Sequence, residues 1–379
     1  MVVIDRRTFV ALLAGAVVTG RAAAQSLPED APLGFSPDPE FVARAKELLA
    51  AVPAIDLHAH PGVTFARDAV EQSPVTRSIV GPGPFEDLRI ADMMASGMAG
   101  GSFAAVSDME ILGLRNGALG WTREFRPGEA RASYQRQIAN LKEYLPRSGA
   151  VIALTPGDIV RLHKQNKIAA LLMVEGGDFL AGDTGFVKQA FADGVRAVTL
   201  VHYHPNELGD NQTAESQSGG LTSFGREVVA EMDRLGMIID VAHASESTVR
   251  GVLAATRNPL MCSHTLLAGH GPQHPRFISD GLARAIADKG GVIGAWPAGY
   301  GAETLNDYVE HVLTMSRVVG PEHVGFGTDM DGNYKPVFNN YRQLPLLVSE
   351  LLRRGYGEKN AAGFVGGNFL RLFTEVAKS

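Results

Sequence analysis

A single cysteine, Cys262, among 379 residues leaves the chain unable to form an internal disulfide or a cysteine-built metal ribbon. It lies in an apolar run and is expected to be a small buried hydrophobe. Tryptophan is almost as scarce, with two residues. Positive charge is in short supply too: 35 Lys and Arg against 41 Asp and Glu give a net charge of −6, with no basic stripe. That removes the electrostatic footprint of a nucleic-acid binder. No apolar run reaches the roughly 20 residues of a membrane span. Internal repeats and low-complexity tracts are missing as well. So is the glycine-rich phosphate turn that follows the first strand of a dinucleotide-binding sheet.

What is present suits a large α/β domain. Hydrophobic residues make up 45% of the chain, enough for one large core, and 43 glycines and 20 prolines are scattered as in many short connections. The N-terminus reads as an export address. Asp5-Arg6-Arg7-Thr8-Phe9-Val10 is a twin-arginine pattern, followed by a short apolar run from Phe9 to Val18 and small residues Ala22-Ala23-Ala24. Residues 1–24 are therefore expected to be a twin-arginine signal peptide. Residues 25–379 are expected to be a single exported or periplasmic domain.

Eight short apolar segments have strand character: Ala54–Leu57, Ser102–Val106, Ala169–Val174, Ala197–Val201, Met237–Val241, Leu260–Ser263, Gly291–Ala295 and Val324–Gly327. Segments of helical period separate most of them, notably Gly225–Arg234, Glu246–Ala255, Gly281–Asp288 and Leu305–Val318, with Asp158 expected to cap another. Eight strand–helix alternations predict a closed (β/α)8 TIM barrel, with an open doubly wound sheet as the alternative. Two longer irregular stretches, Asp108–Arg131 and Tyr203–Gly220, are expected to rise over the barrel mouth.

Metal-friendly residues collect at the C-terminal ends of these strands, the rim where barrels of this kind carry their chemistry. They are His58 and His60, then Glu175, His202, His243, His264 and Asp329. His58 and His60 are two apart, so on a strand they share a face and point together into the barrel mouth. By the same alternation Ile55 and Leu57 are expected to face the outer helices, and Asp56 is a candidate carboxylate behind the metal. Glu175 ends an apolar strand, where a charge is costly unless paired or metal-bound, and its two oxygens can bridge two cations. His204 stands next to His202 and competes for its role. Histidine and carboxylate ligands together suit Zn2+ best, with Mn2+ or Co2+ as alternatives. His163, His311 and His323 fall in helical or surface stretches, and His270 and His274 read as loop histidines.

The segment from Gly220 to His243, GLTSFGREVVAEMDRLGMIIDVAH, resembles the hallmark segment of the membrane (renal-type) dipeptidases, a branch of the amidohydrolase-like barrels. Val174-Glu175-Gly176-Gly177, Thr199-Leu-Val-His202, Ser263-His264-Thr265, Gly327-Thr-Asp329-Met-Asp-Gly332 and Gly367-Asn-Phe-Leu-Arg-Leu-Phe373 match in family order. The likeness runs from about residue 50 to the end. It implies two zinc ions per chain bridged by Glu175, with His58, His60 and Asp329 on one ion and His243 and His264 on the other. It also implies His202 as a contact to the substrate carbonyl and its oxyanion, and Arg276 as the grip on the substrate carboxylate. Asp329 would be the catalytic proton carrier. The implied reaction is hydrolysis of a small dipeptide, including one with a D-residue at its carboxyl end, by a hydroxide held between the metals. Other amides, lactones or β-lactams are alternatives at the same site, and a non-catalytic binding protein is the alternative of another class. Relatives are often dimers, so a homodimer is expected by resemblance. Two departures stand out: the family has Asp where this chain has His60, and Asn where it has Phe277.

Overall fold

In the computed structural model, which describes residues 26–378, the apolar segments fall into one parallel sheet. The twin-arginine segment lies outside the described residues. Strand order is β1 (Ala54–Ala59), β2 (Met98–Val106), β6 (Ile168–Glu175), β7 (Val195–Thr199), β8 (Ile238–Asp240), β9 (Met261–Thr265), β10 (Val292–Ala295) and β11 (Val324–Phe326), every neighbouring pair parallel. The barrel closes between β11 and β1 through an isolated bridge, Ala59 to Met330, with Asp329 N–H donating to His58 O (2.9 Å) and His60 N–H to Met330 O (2.8 Å). A further strand, β5 (Ala150–Ile152), pairs with the first three positions of β6. The remaining two strands, β3 (Leu112–Arg115) and β4 (Ala118–Trp121), form an antiparallel hairpin. This hairpin lies inside the stretch that the sequence suggested was irregular.

Helices follow the strands because their starts are well capped. Thr222, Ser245, Ser279 and Thr304 each accept a hydrogen bond from the backbone N–H three residues on, opening the helices Ser223–Leu235, Glu246–Ala255, Asp280–Asp288 and Leu305–Val319. The cap expected at Asp158 is at Thr155 instead: the helix is Pro156–Lys164, and Asp158 is the third helical residue, returning the bond in a capping box. Among the described residues no helix is long and apolar enough to cross a membrane. Cys262 is buried, as its apolar neighbours suggest.

Alternation along the strands separates two cores. Ala169, Leu171 and Met173 of β6 pack with Ala197, Ile238, Met261 and Val292 inside the barrel, while Ala170, Leu172 and Val174 pack in the outer layer with the helices. Glu175 continues the inward set. Ile55 and Leu57 belong to the inner cluster, contrary to the expectation that they face the helices. The register of β1 slips between Asp56 and Ala59, so the alternation counted back from His58 fails there. Asp56 is correspondingly turned to the β1–β11 seam. It accepts from Thr328 N–H (3.0 Å), Thr328 Oγ1 and the Tyr341 hydroxyl (2.8 Å). The helix Asn368–Val376 closes the N-terminal end of the barrel, placing Phe369, Leu372 and Phe373 in the inner cluster.

Candidate metal centre

The inward parity of β6 carries Glu175 to the middle of the C-terminal rim, where it is buried. Imidazoles converge on it from four other strand ends. Its Oε1 lies 3.1 Å from His243 Nε2, 3.4 Å from His58 Nε2 and 3.8 Å from His264 Nε2. Its Oε2 lies 3.5 Å from both His60 Nε2 and His202 Nε2. Asp329 Oδ1 is 3.3 Å from His60 Nε2 and 3.9 Å from His58 Nε2. Two imidazole pairs face each other nitrogen to nitrogen, His58 with His60 at 3.2 Å and His243 with His264 at 3.1 Å.

These separations fit bound cations. A tetrahedron whose arms are the roughly 2.0 Å of a zinc–nitrogen bond has an edge of about 3.3 Å, the spacing seen across this ring. Three groups of donors lie close enough to hold an ion: His58 with His60 and Asp329, His58 with Glu175 and His264, and Glu175 with His202 and His243. Burial alone would raise Glu175, but His202 and His58 beside it hold its carboxyl well below the usual range. Burial, reinforced by Arg276 at His243 and by His58 and then Arg276 at His264, keeps both imidazoles well below the ordinary value, which favours the neutral ligand form. For His58, burial is outweighed by Glu175 and Asp329, and the imidazole is raised to about 9.

The supports behind the ring differ from residue to residue. His60 Nδ1 meets Ala104 O at 3.3 Å, and His264 Nδ1 meets Ser263 Oγ at 2.9 Å. Ser263 in turn donates to Asp240, which is buried in the barrel under the site and also takes Thr199 Oγ1 (2.6 Å). Among the described residues, His58 Nδ1 and His243 Nδ1 are buried without partners. Two ring members have left-handed backbones, His243 with φ 65° and Asp329 with φ 55°, a conformation that is held only by the surrounding structure. Gly332 allows the close approach of the Asp329 turn, since a Cβ there would sit 2.6 Å from His60 Cδ2.

His202 is held by a residue that sequence reading passed over as the start of an insertion. Asp108 Oδ1 lies 2.6 Å from His202 Nδ1, and its Oδ2 accepts from Tyr203 N–H (3.2 Å) and His204 N–H (2.9 Å). Burial lowers His202, but Asp108 and then Glu175 outweigh it and raise the imidazole. His204 points elsewhere, to Asp178 (2.6 Å) and Glu124 (3.0 Å), so it does not share the role of His202.

Arg276 is 2% exposed, and among the described residues no carboxylate lies within salt-bridge distance of it. Its Nε donates to Gln212 Oε1 at 3.2 Å, its Nη2 is buried without a partner, and its Cζ lies 5.0 Å from the Trp296 ring centre. A buried guanidinium without a counter-ion is an anion receptor. His274 braces this loop by accepting from Arg276 N–H, and His270 pairs with Asp280 away from the ring. The structure thus gathers His58, His60, Glu175, His202, His243, His264 and Asp329 at one point, with Arg276 alongside. Asp108, Gln212 and Asp240 were missed. Asp240 alone carried a local signal, as a charge inside an apolar strand.

A family model for the membrane dipeptidases (peptidase family M19) matches residues 42–379. Dipeptidase aclJ of Aspergillus oryzae is 34% identical over 224 residues, 56% of this chain and 53% of that protein. Dipeptidase verJ of Clonostachys rogersoniana is 31% identical over 243 residues, 62% of each chain. The chain therefore spans less than two thirds of the length of these relatives. Among solved structures, the probable dipeptidase PvdM from Pseudomonas aeruginosa has the same fold, with a TM-score of 0.75 at 22% identity over 89% of this chain and 99% of that one. Matched over nearly all of its described length, the chain belongs to the membrane dipeptidase family, peptidase family M19.

Proposed function

We propose that the protein is a metal-dependent dipeptidase that hydrolyses small dipeptides with a free carboxylate, including those with a D-residue at the carboxyl end. The observation that carries this reading is the ring of imidazole and carboxylate atoms 3.1–3.9 Å apart around Glu175, with the partnerless Nη2 of Arg276 beside it. His58, His60, Asp329 and Glu175 would hold one cation, and Glu175, His243 and His264 a second. The donor set favours zinc. When bound, the cation pair supplies hydroxide at neutral pH and polarises the scissile carbonyl.

The chain's own residues do the rest. Arg276 takes the substrate carboxylate through its free Nη2, and Gln212 fixes the guanidinium plane. Asp108 holds His202 with Nδ1 engaged, which leaves Nε2 aimed at the ring, where it donates to the carbonyl oxygen as negative charge develops. Asp329 turns Oδ1 toward His60, and its other oxygen takes the proton of the attacking water and delivers it to the leaving amine. The test is a metal count on the purified protein together with an assay of L,L and L,D dipeptides with and without chelator. Two equivalents per chain and chelator-sensitive cleavage are expected. A protein that stays metal-free in excess zinc would overturn the reading.

A further inference from the structure

Beyond Arg276 a series of rings leads away from the ligand ring toward solvent. Ring centres are 5.7 Å apart from His264 to Trp296, 5.6 Å from Trp296 to Tyr300 and 5.2 Å from Tyr300 to Tyr334, the last pair stacked at 28°. Exposure rises along it, from 0% at His264 through 3% at Trp296 to 38% at Tyr334. Phe277 joins Trp296 in one apolar cluster, with Tyr300 packed against it. His274 supports Tyr300 from behind at 4.1 Å. Arg276 Cζ lies 5.0 Å from the Trp296 ring centre, which sets this series of rings beside the guanidinium. The indole Nε1 of Trp296 is buried and, among the described residues, without a partner.

In a carboxylate seated on Arg276, the Cα of that residue is two bonds from the oxygen that meets the guanidinium. The scissile amide must extend toward Glu175, which leaves the side chain to lie along the rings. Leu266 and Ala298 belong to this cluster, but its large members are Phe277, Trp296 and Tyr300, whose faces and edges favour another ring in offset or edge-on contact. We propose that Trp296 and Tyr300 form the subsite for the substrate's carboxyl-terminal side chain, and that this subsite selects an aromatic residue. The inference rests on the dipeptidase reading.

The test compares kcat/KM for Ala-Phe and Ala-Ala, with both L and D carboxyl-terminal residues. A ratio of about tenfold or more in favour of Phe is expected, on the scale of one or two aromatic contacts. Tyr300→Ala should move that ratio toward parity while metal content stays the same, and Trp296→Phe should retain most of it. A ratio near one in the natural protein, or a preference that survives Tyr300→Ala, would overturn the proposal. Binding supplies an arm independent of turnover. The chain has two tryptophans, so Trp121→Phe leaves Trp296 as the sole indole reporter. In chelator-treated Trp121→Phe protein, Ala-Phe should alter the emission at a concentration about tenfold below Ala-Ala. If no dipeptide is cleaved, the dipeptidase reading fails, and equal responses in this titration then reject the subsite too.

Discussion

On one side of Glu175 stand His58, His60 and Asp329; on the other stand His243 and His264. The first side has a second carboxylate and is braced by an ion network. Arg89 grips Asp331 through Nε (2.9 Å) and Nη2 (2.6 Å), and Asp331 Oδ2 accepts from Gly62 N–H (2.8 Å). The turns that follow His60 and Asp329 are thereby clamped together. The second side shares Glu175 as its only carboxylate, and the buried charge of Arg276 acts on both of its imidazoles. The site would therefore offer a bound cation a well-neutralised half and a half that leaves more of its charge exposed, next to where the substrate carboxylate would bind.

Removing the shared member should erase the distinction. Glu175→Gln is expected to lose both cations and to lower kcat/KM by at least about 10³-fold, read by metal analysis and steady-state kinetics. Asp108→Asn should leave metal content and KM near those of the natural protein. Its kcat should fall about 10²–10³-fold, because His202 loses the acceptor that fixes its tautomer. Arg276→Ala should chiefly raise KM, by roughly 10–100-fold, and the penalty should vanish for dipeptide amides, which carry no carboxylate. Graded chelation tests the asymmetry directly. The cation between His243 and His264 should leave first, with about a tenfold weaker Kd, and His243→Ala should keep about one equivalent. Release of both in a single step would contradict the inequality of the two halves.

The smallest effect concerns stability. Burial disfavours the His204 cation, but Asp178 and Glu124 raise it to about 9, above its unfolded value of 6.5. Its contribution is full below pH 6.5 and is lost as pH rises through about 9. The difference in denaturation midpoint between the natural protein and His204→Gln should shrink across that window.

Much of this was legible in the chain. Strand ends and ligand types coincide because a barrel rim presents the residue just past each strand, so local pattern and site location carry the same information. Alternation failed at β1, where the register slip turns Ile55 and Leu57 inward, a displacement with no local sequence mark. Asp158 was read as a cap because an Asp before an apolar run looks like one, whereas Thr155 takes that place and Asp158 serves three residues in. Asp108 was out of reach for another reason: it meets His202 across 94 positions, and only the closed fold brings them together. The histidines and carboxylates that converge were visible, and the groups that orient them were not.

The seam between β11 and β1 has a consequence for how the protein is made. Asp56 and Thr328, which meet across it, are 272 positions apart in the chain. During synthesis His58 and His60 emerge well before Asp329, so the barrel keeps an unpaired edge until its final strand docks. The same docking event completes the first half of the ligand ring. Cation uptake there would then report that the ring of strands has closed, and a chain that stops short of β11 would be left with an open edge and an incomplete first half.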